Sequence, residues 1–181
     1  MNLPNKLSIA RALSIPVIAA LLYVFLNTQD RSWQIAAGIL FILASVTDYL
    51  DGHIARKHNL VTDFGKFIDP VADKLLVLTT LIMLIHLGLM PAWFVIVILC
   101  RELAVDGLRM VAVTKGQVIA AGPLGKWKTA CQMVLISAML ILNLPLSQSW
   151  PLAVLAGIVI LLTIVSGVDY FVRNKSVLAE K

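Results

Sequence analysis

The chain has 181 residues, of which 60% are hydrophobic, and a formal net charge of +5; its mean hydropathy is +0.91. Soluble domains are close to half apolar, so this composition excludes an ordinary water-soluble fold and predicts an integral membrane protein, all-α, built as a single domain over residues 1–181. The positive balance does not point to nucleic acid, because the basic residues stand at the ends of apolar runs and no solvated basic segment is present to hold a polyanion.

In chain order, apolar runs broken by turn signals predict six helices at about 7–27, 33–57, 66–87, 91–114, 124–143 and 151–172. At roughly 20 apolar residues per crossing these suffice for six transmembrane spans in one bundle. Before the first run lies NLPNKLS, whose Pro4 and Asn5 predict a short interfacial turn or helix. Lys6 and Arg11 precede an apolar run, but no small-residue cleavage site follows, so the run reads as a retained first span. The connections NTQDRS, HLGLMP and NLPLSQSW fall on one side and carry only Arg31 of the 15 lysines and arginines. The positive-inside rule therefore assigns both termini, the aspartate-rich connection and residues 115–128 to the cytoplasm. Trp33, Trp93 and Trp150 fit an outer aromatic belt and Trp127 an inner one. Cys100 and Cys131 lie in apolar runs without a spacing partner and behave as small hydrophobes.

Against this background, SVTDYLDGHIARKHNLVTDFGKFIDPVAD over residues 45–73 is anomalous. At about 100° per residue, Asp48 and Asp51 share one face of the second helix with Gly52, Ala55 and Arg56. On the third helix Gly65, Asp69 and Asp73 form an i, i+4, i+8 stripe. Facing carboxylates stay ionised only with cations among them; otherwise several must bind protons. The first alternative, with oxygen ligands and neither cysteine nor clustered histidine, selects a hard cation, Mg²⁺ or Mn²⁺, and four carboxylates suffice for two ions about 4 Å apart. The second is the pattern of a proton or ion transporter. Glycine and alanine leave room for a ligand near the backbone, and Arg56 on the same face can pair with phosphate oxygens. Asp63 reads as a solvated or capping loop residue, and His53, His58 and His86 as interfacial polar packing.

The pattern Asp48-x2-Asp51-Gly52-x2-Ala55-Arg56-x8-Gly65-x3-Asp69-x3-Asp73 resembles the signature of the CDP-alcohol phosphotransferase family at every fixed position. The resemblance implies a six-helix membrane enzyme, commonly a homodimer, that uses two divalent ions, Mg²⁺ or Mn²⁺, to transfer a phosphatidyl or similar group from a CDP donor to an alcohol with release of CMP. It further implies that Asp48, Asp51, Asp69 and Asp73 hold the ions, that Asp73 is also the base, and that Gly52, Ala55, Arg56 and Gly65 line the CDP-lipid pocket.

The later segment CRELAVDGLRMVAVTKGQVIAAGPLGKWKTACQM supplies a second polar cluster. Arg101 lies too deep in the fourth run to reach water without cost, so it must face a polar cavity or pair with an acid, Glu102 or Asp106. Glu102 and Arg109 share a face and are expected to form an ion pair unless the cations bind an anionic second substrate. If helical, Lys126 and Lys128 are about 200° apart; Lys128, in line with Gln132, is the inward choice and Lys126 a surface anchor. Together with MNLPNKLSIARALSIP and SGVDYF, this segment is similar to bacterial members of the family that join CDP-diacylglycerol to glycerol 3-phosphate, although Asp106 stands where a small hydroxyl residue is expected. That similarity implies a cytoplasmic membrane location, with Arg101, Arg109 and Lys128 around the acceptor phosphate. Serine, inositol phosphate and phosphatidylglycerol are the alternative acceptors.

Overall fold

The computed structural model describes residues 3–57, 63–117, 119–120 and 122–177, with side chains over 5–47, 68–117, 119–120, 122–175 and 177. Among these residues there are six α-helices and no strand: α1 Leu3–Thr28, α2 Arg31–Lys57, α3 Asp63–His86, α4 Ala92–Thr114, α5 Pro123–Leu142 and α6 Trp150–Arg173, with 3₁₀ turns at Leu146–Gln148 and Lys175–Val177. The helix ends lie close to the expected ones, with two corrections. The N-terminal segment is no separate interfacial element: α1 runs unbroken from Leu3, because Pro4 falls in the first turn, where a missing N–H costs no intrahelical bond. Asp63 opens α3 and does not lie in a loop, at the end of the helix where the backbone dipole favours a negative charge.

Pro16 and Pro70 lie inside α1 and α3, and each deletes one i→i−4 hydrogen bond. Pro70 stands between Asp69 and Asp73.

The chain divides into two compact units, Met1–Met90 with Ile136–Leu144, and Pro91–Leu135 with Pro145–Lys181. In the first, α1 packs on α2 and α3, and α2 also meets α3. Buried side chains follow steps of three or four along each helix: Ile15, Ile18, Leu22 and Phe25 on α1; Gln34, Ala37, Phe41 and Ala44 on α2; Ala72, Leu76, Thr80 and Leu84 on α3. This is the stripe that helix-on-helix packing requires. Its α2 end is tied to the close of α5: Arg31 Nη2 donates to the Ile141 carbonyl at 2.9 Å and Gln34 Nε2 to Asn143 Oδ1 at 3.0 Å. Asp30 caps α2, accepting from the backbone N–H of Ser32 at 3.0 Å and its hydroxyl at 2.7 Å. The Ser32 backbone bond, then the hydroxyl, holds the Asp30 carboxyl below its ordinary value.

In the second unit α4 packs on α6. Phe94, Ile98, Val105, Leu108 and Ala112 are buried along α4, and Leu152, Ala156, Val159, Thr163, Ser166 and Tyr170 along α6. The contacts of Arg101 with Ser166, Arg109 with Tyr170 and Lys115 with Val177 advance together along both, so α4 and α6 run parallel. Val105, Leu108, Ala112, Tyr170 and Val177 form one apolar cluster.

Among the described residues two helical segments, Asn5–Thr28 and Trp150–Arg173, are long and apolar enough to cross a membrane, and Arg31–Thr47 is a shorter apolar stretch. On α6, Leu161, Ile164, Val165, Val168 and Val172 are exposed opposite the buried stripe. A helix apolar all round suits a lipid surround and would be an aggregation liability in water.

Among the described glycines Gly38 marks the closest approach, since a Cβ there would stand 2.9 Å from Ile141 Cδ1 and 3.2 Å from Leu140 Cβ. Gly38→Leu is expected to lower the thermal midpoint of the protein in detergent, at an overpacking cost of about 1–3 kcal/mol. An unchanged melting curve would show that α2 and the end of α5 are not so closely packed.

Candidate functional site

The buried faces of the first unit become polar towards the start of α1 and α3. On α3, Asp69 and Asp73 are half-buried and head the face that continues through Leu76, Thr80 and Leu84. On α1 the line Ile15, Ile18, Leu22, Phe25 is preceded by Asn5, Ser8 and Arg11, all buried, with Arg11 only 2% exposed. The Ser8 hydroxyl donates to Asp69 Oδ1 and so joins α1 to α3 where the carboxylates stand. The α2 backbone remains helical to Lys57, so positions 48 and 51 fall within about 40° of the line through Ala44.

The side chains of Asp48, Asp51, Gly52, Ala55, Arg56 and Gly65, like those of His53, His58 and Asp63, lie outside the described residues. Among the described residues no three potential metal ligands gather. The described half of the expected set, Asp69 and Asp73, offers oxygen donors one helical turn apart, the chemistry a hard divalent ion takes.

Asn5, Ser8 and Arg11 form a buried polar stretch of α1 that the aspartate pattern alone does not reveal, and Ser8 links it to Asp69. Their signal is spacing: three polar residues at i, i+3 and i+6 share one face of a helix whose continuation is apolar, and polar groups within an apolar span carry a cost that calls for a use.

In the second unit Arg101 occupies the α4 stripe between Ile98 and Val105. Its Nη1 lies 3.2 Å from Glu102 Oε1 and its Nη2 donates to Ser166 Oγ at 3.2 Å. Lys128, 3% exposed, reaches the same Glu102 Oε1 at 2.6 Å. One carboxylate oxygen thus bridges two cations. Two glycines make room for the guanidinium: a Cβ at Gly167 would stand 3.1 Å from Arg101 Cγ, and one at Gly125 would stand 3.4 Å from Nη2.

The expected pairing of Glu102 with Arg109 is corrected. Seven residues separate their Cα atoms by about 10 Å along the helix axis, whereas Lys128 approaches Glu102 directly from α5. Arg109 instead donates from Nε to the Tyr170 hydroxyl at 2.9 Å, with its guanidinium carbon 5.4 Å from that ring's centroid. Of the three expected acceptor cations, the structure brings Arg101 and Lys128 together and sets Arg109 about two turns further along α4. Lys126 is exposed and Lys128 buried, as their angular separation requires. Ser166 and Tyr170, which hold Arg101 and Arg109, are apparent only from the folded chain.

A family model described as CDP-alcohol phosphatidyltransferase matches residues 1–168. A Bacillus subtilis (strain 168) protein named CDP-diacylglycerol--glycerol-3-phosphate 3-phosphatidyltransferase is similar, 49% identical over 183 residues that cover 96% of this chain and 95% of the relative. A Rickettsia typhi protein of the same name is 42% identical, covering 97% of this chain and 98% of its own. A Mycobacterium tuberculosis (strain H37Rv) protein named probable phosphatidylglycerophosphate synthase is 40% identical over 95% of this chain and 81% of its own.

Removing one partner of a buried ion pair is costly because the remaining charge stays desolvated. Glu102→Gln takes the carboxylate from two cations and is expected to destabilise the protein by about 3–5 kcal/mol, while Lys128→Gln leaves the Arg101–Glu102 pair and costs less. Thermal melts of the two variants check the order; a milder effect for Glu102→Gln would contradict the bridging role.

Proposed function

The chain belongs to the CDP-alcohol phosphatidyltransferase family, and from that premise we propose that it transfers a phosphatidyl group from CDP-diacylglycerol to glycerol 3-phosphate, giving phosphatidylglycerophosphate and CMP. The observation that carries this reading is similarity over nearly the whole chain to relatives named for that reaction. The Arg101–Glu102–Lys128 cluster supports it, because its two cations suit a phosphorylated acceptor better than a neutral one.

In this reading the primary hydroxyl oxygen of glycerol 3-phosphate forms a bond to the lipid-side phosphorus. The bond from that phosphorus to the bridging pyrophosphate oxygen breaks, and CMP leaves with the electron pair. The Asp73 carboxylate takes the hydroxyl proton. Asp48, Asp51, Asp69 and Asp73 would hold two Mg²⁺ or Mn²⁺ ions, which when bound supply charge neutralisation of the pyrophosphate and the leaving phosphate. Ser8 holds Asp69 through one oxygen, so the carboxylate enters the site already oriented. Gly52, Ala55 and Gly65 keep the backbone accessible to the CDP group, and Arg56 pairs with its phosphates. Arg101 and Lys128 hold the acceptor phosphate, with Arg109 adding positive charge further along α4.

The same reading makes the six helices transmembrane spans of a single domain, active as a homodimer in a bacterial cytoplasmic membrane, with both termini in the cytoplasm. The solitary Arg31 on the opposite side supports that orientation.

Purified protein given CDP-diacylglycerol, Mg²⁺ and glycerol 3-phosphate should release CMP and form the phosphorylated lipid, and excess EDTA should abolish turnover. Asp69→Asn and Asp73→Asn should each lower kcat at least about a hundredfold; full activity in EDTA would defeat the reading. Ser8→Ala should raise the ion concentration needed for half-maximal activity, and the Mn²⁺ dissociation constant measured by electron paramagnetic resonance, by about 10- to 100-fold. Unaltered Mn²⁺ binding would remove Ser8 from the ion site.

A further inference from the structure

Gln132 lies on α5 one turn beyond Lys128 and is 2% exposed, and its Nε2 has no hydrogen-bond partner among the described residues. Arg101 Nε is a second buried donor without one among them. A side-chain amide nitrogen carries two donor hydrogens, and leaving a buried donor unmet carries a penalty that folded proteins rarely accept without a use. Both orphans stand in the unit that holds the Arg101–Glu102–Lys128 ion pairs. Such donors await oxygen acceptors brought by a ligand.

The two kinds of donor differ in what they match. The Lys128 ammonium and the Arg101 guanidinium suit phosphate oxygens, whereas the Gln132 amide carries no charge and suits a neutral oxygen. Residues one turn apart on a helix have Cβ atoms about 6 Å apart, a reach comparable to the span from the phosphate of a three-carbon phosphate ester to its middle hydroxyl.

We propose that Gln132 is a specificity-determining residue whose Nε2 donates to the secondary hydroxyl oxygen of the acceptor while Lys128 and Arg101 hold its phosphate. This rests on the reading of the acceptor as glycerol 3-phosphate. A site built to hydrogen-bond a substrate hydroxyl rejects an analogue that lacks it, because the protein group is then left unpaired. The native protein therefore prefers glycerol 3-phosphate to propane-1,3-diol phosphate, which keeps the primary hydroxyl and the phosphate and lacks only the middle one.

Gln132→Met keeps the length of the side chain and removes the donor. In the full-length protein with CDP-diacylglycerol and Mg²⁺, the variant is expected to raise the KM for glycerol 3-phosphate about tenfold, the scale of one lost hydrogen bond. The KM for CDP-diacylglycerol should not change, and the preference over the diol phosphate should collapse towards equality. The substrate-free protein should melt no lower than the native one, because a buried unmet donor has been removed, and glycerol 3-phosphate should protect it less against heat. A purely structural glutamine behaves oppositely: its loss lowers the melting point and moves both KM values together, and that outcome overturns the inference. The native protein supplies a test that needs no variant. Equal kcat/KM for glycerol 3-phosphate and the diol phosphate overturns the inference alone, whereas no lipid product from glycerol 3-phosphate overturns the functional reading and this inference with it.

Discussion

An ionised side chain among apolar helices survives only when another group compensates its lost hydration. Glu102 satisfies that constraint for the second unit, since a single carboxylate oxygen receives both Arg101 and Lys128. Without it, α4 and α5 would present a half-buried and a buried cation to one another, and the packing around Gly125 and Gly167 would enclose a repulsion. Ser8 and Asp69 play the corresponding part in the first unit, where a neutral hydroxyl meets a carboxylate and leaves its charge unspent.

The polar groups are not placed beside the helix-packing faces; they are interruptions of those faces. Arg101 occupies a step in the α4 sequence from Ile98 to Val105, Ser8 and Arg11 extend the α1 line that continues at Ile15, and Asp69 and Asp73 begin the α3 line that continues at Leu76. The same periodicity that buries leucine and phenylalanine thus sets the direction in which these polar side chains can project. This explains why chemistry and packing share so short a chain: one face serves both, apolar along most of its length and polar at one stretch.

That periodicity also determines what could be read without a structure. Six apolar runs and their turn residues located the helices within a few residues, and the angular separation of Lys126 from Lys128 identified the buried one, because both depend on a single helix. Partners depend on two. Nothing in the order of residues says that Glu102 meets Lys128 and not Arg109, or that Arg109 meets Tyr170, since those choices follow from the distance between α4 and its neighbours. The aspartate pattern was legible because four carboxylates in apolar sequence have few uses, whereas Ser8 and Arg11 became conspicuous only when their burial was seen. Pro4 misled for a related reason: a proline that often interrupts a helix is accommodated in its first turn.

The glycines flanking Arg101 act as a steric gauge. The Arg101 stem lies against the α6 backbone because position 167 contributes a hydrogen, and its guanidinium clears α5 because position 125 does the same. A methyl group at 167 would press on Cγ from 3.1 Å, and a long side chain amplifies any displacement near its base at its tip. Residue size at 167 therefore regulates how far the guanidinium extends without altering any charged group. Exchanging this one small residue thus recalibrates the reach of the arginine from a helix that supplies neither partner of the Arg101–Glu102–Lys128 ion pairs.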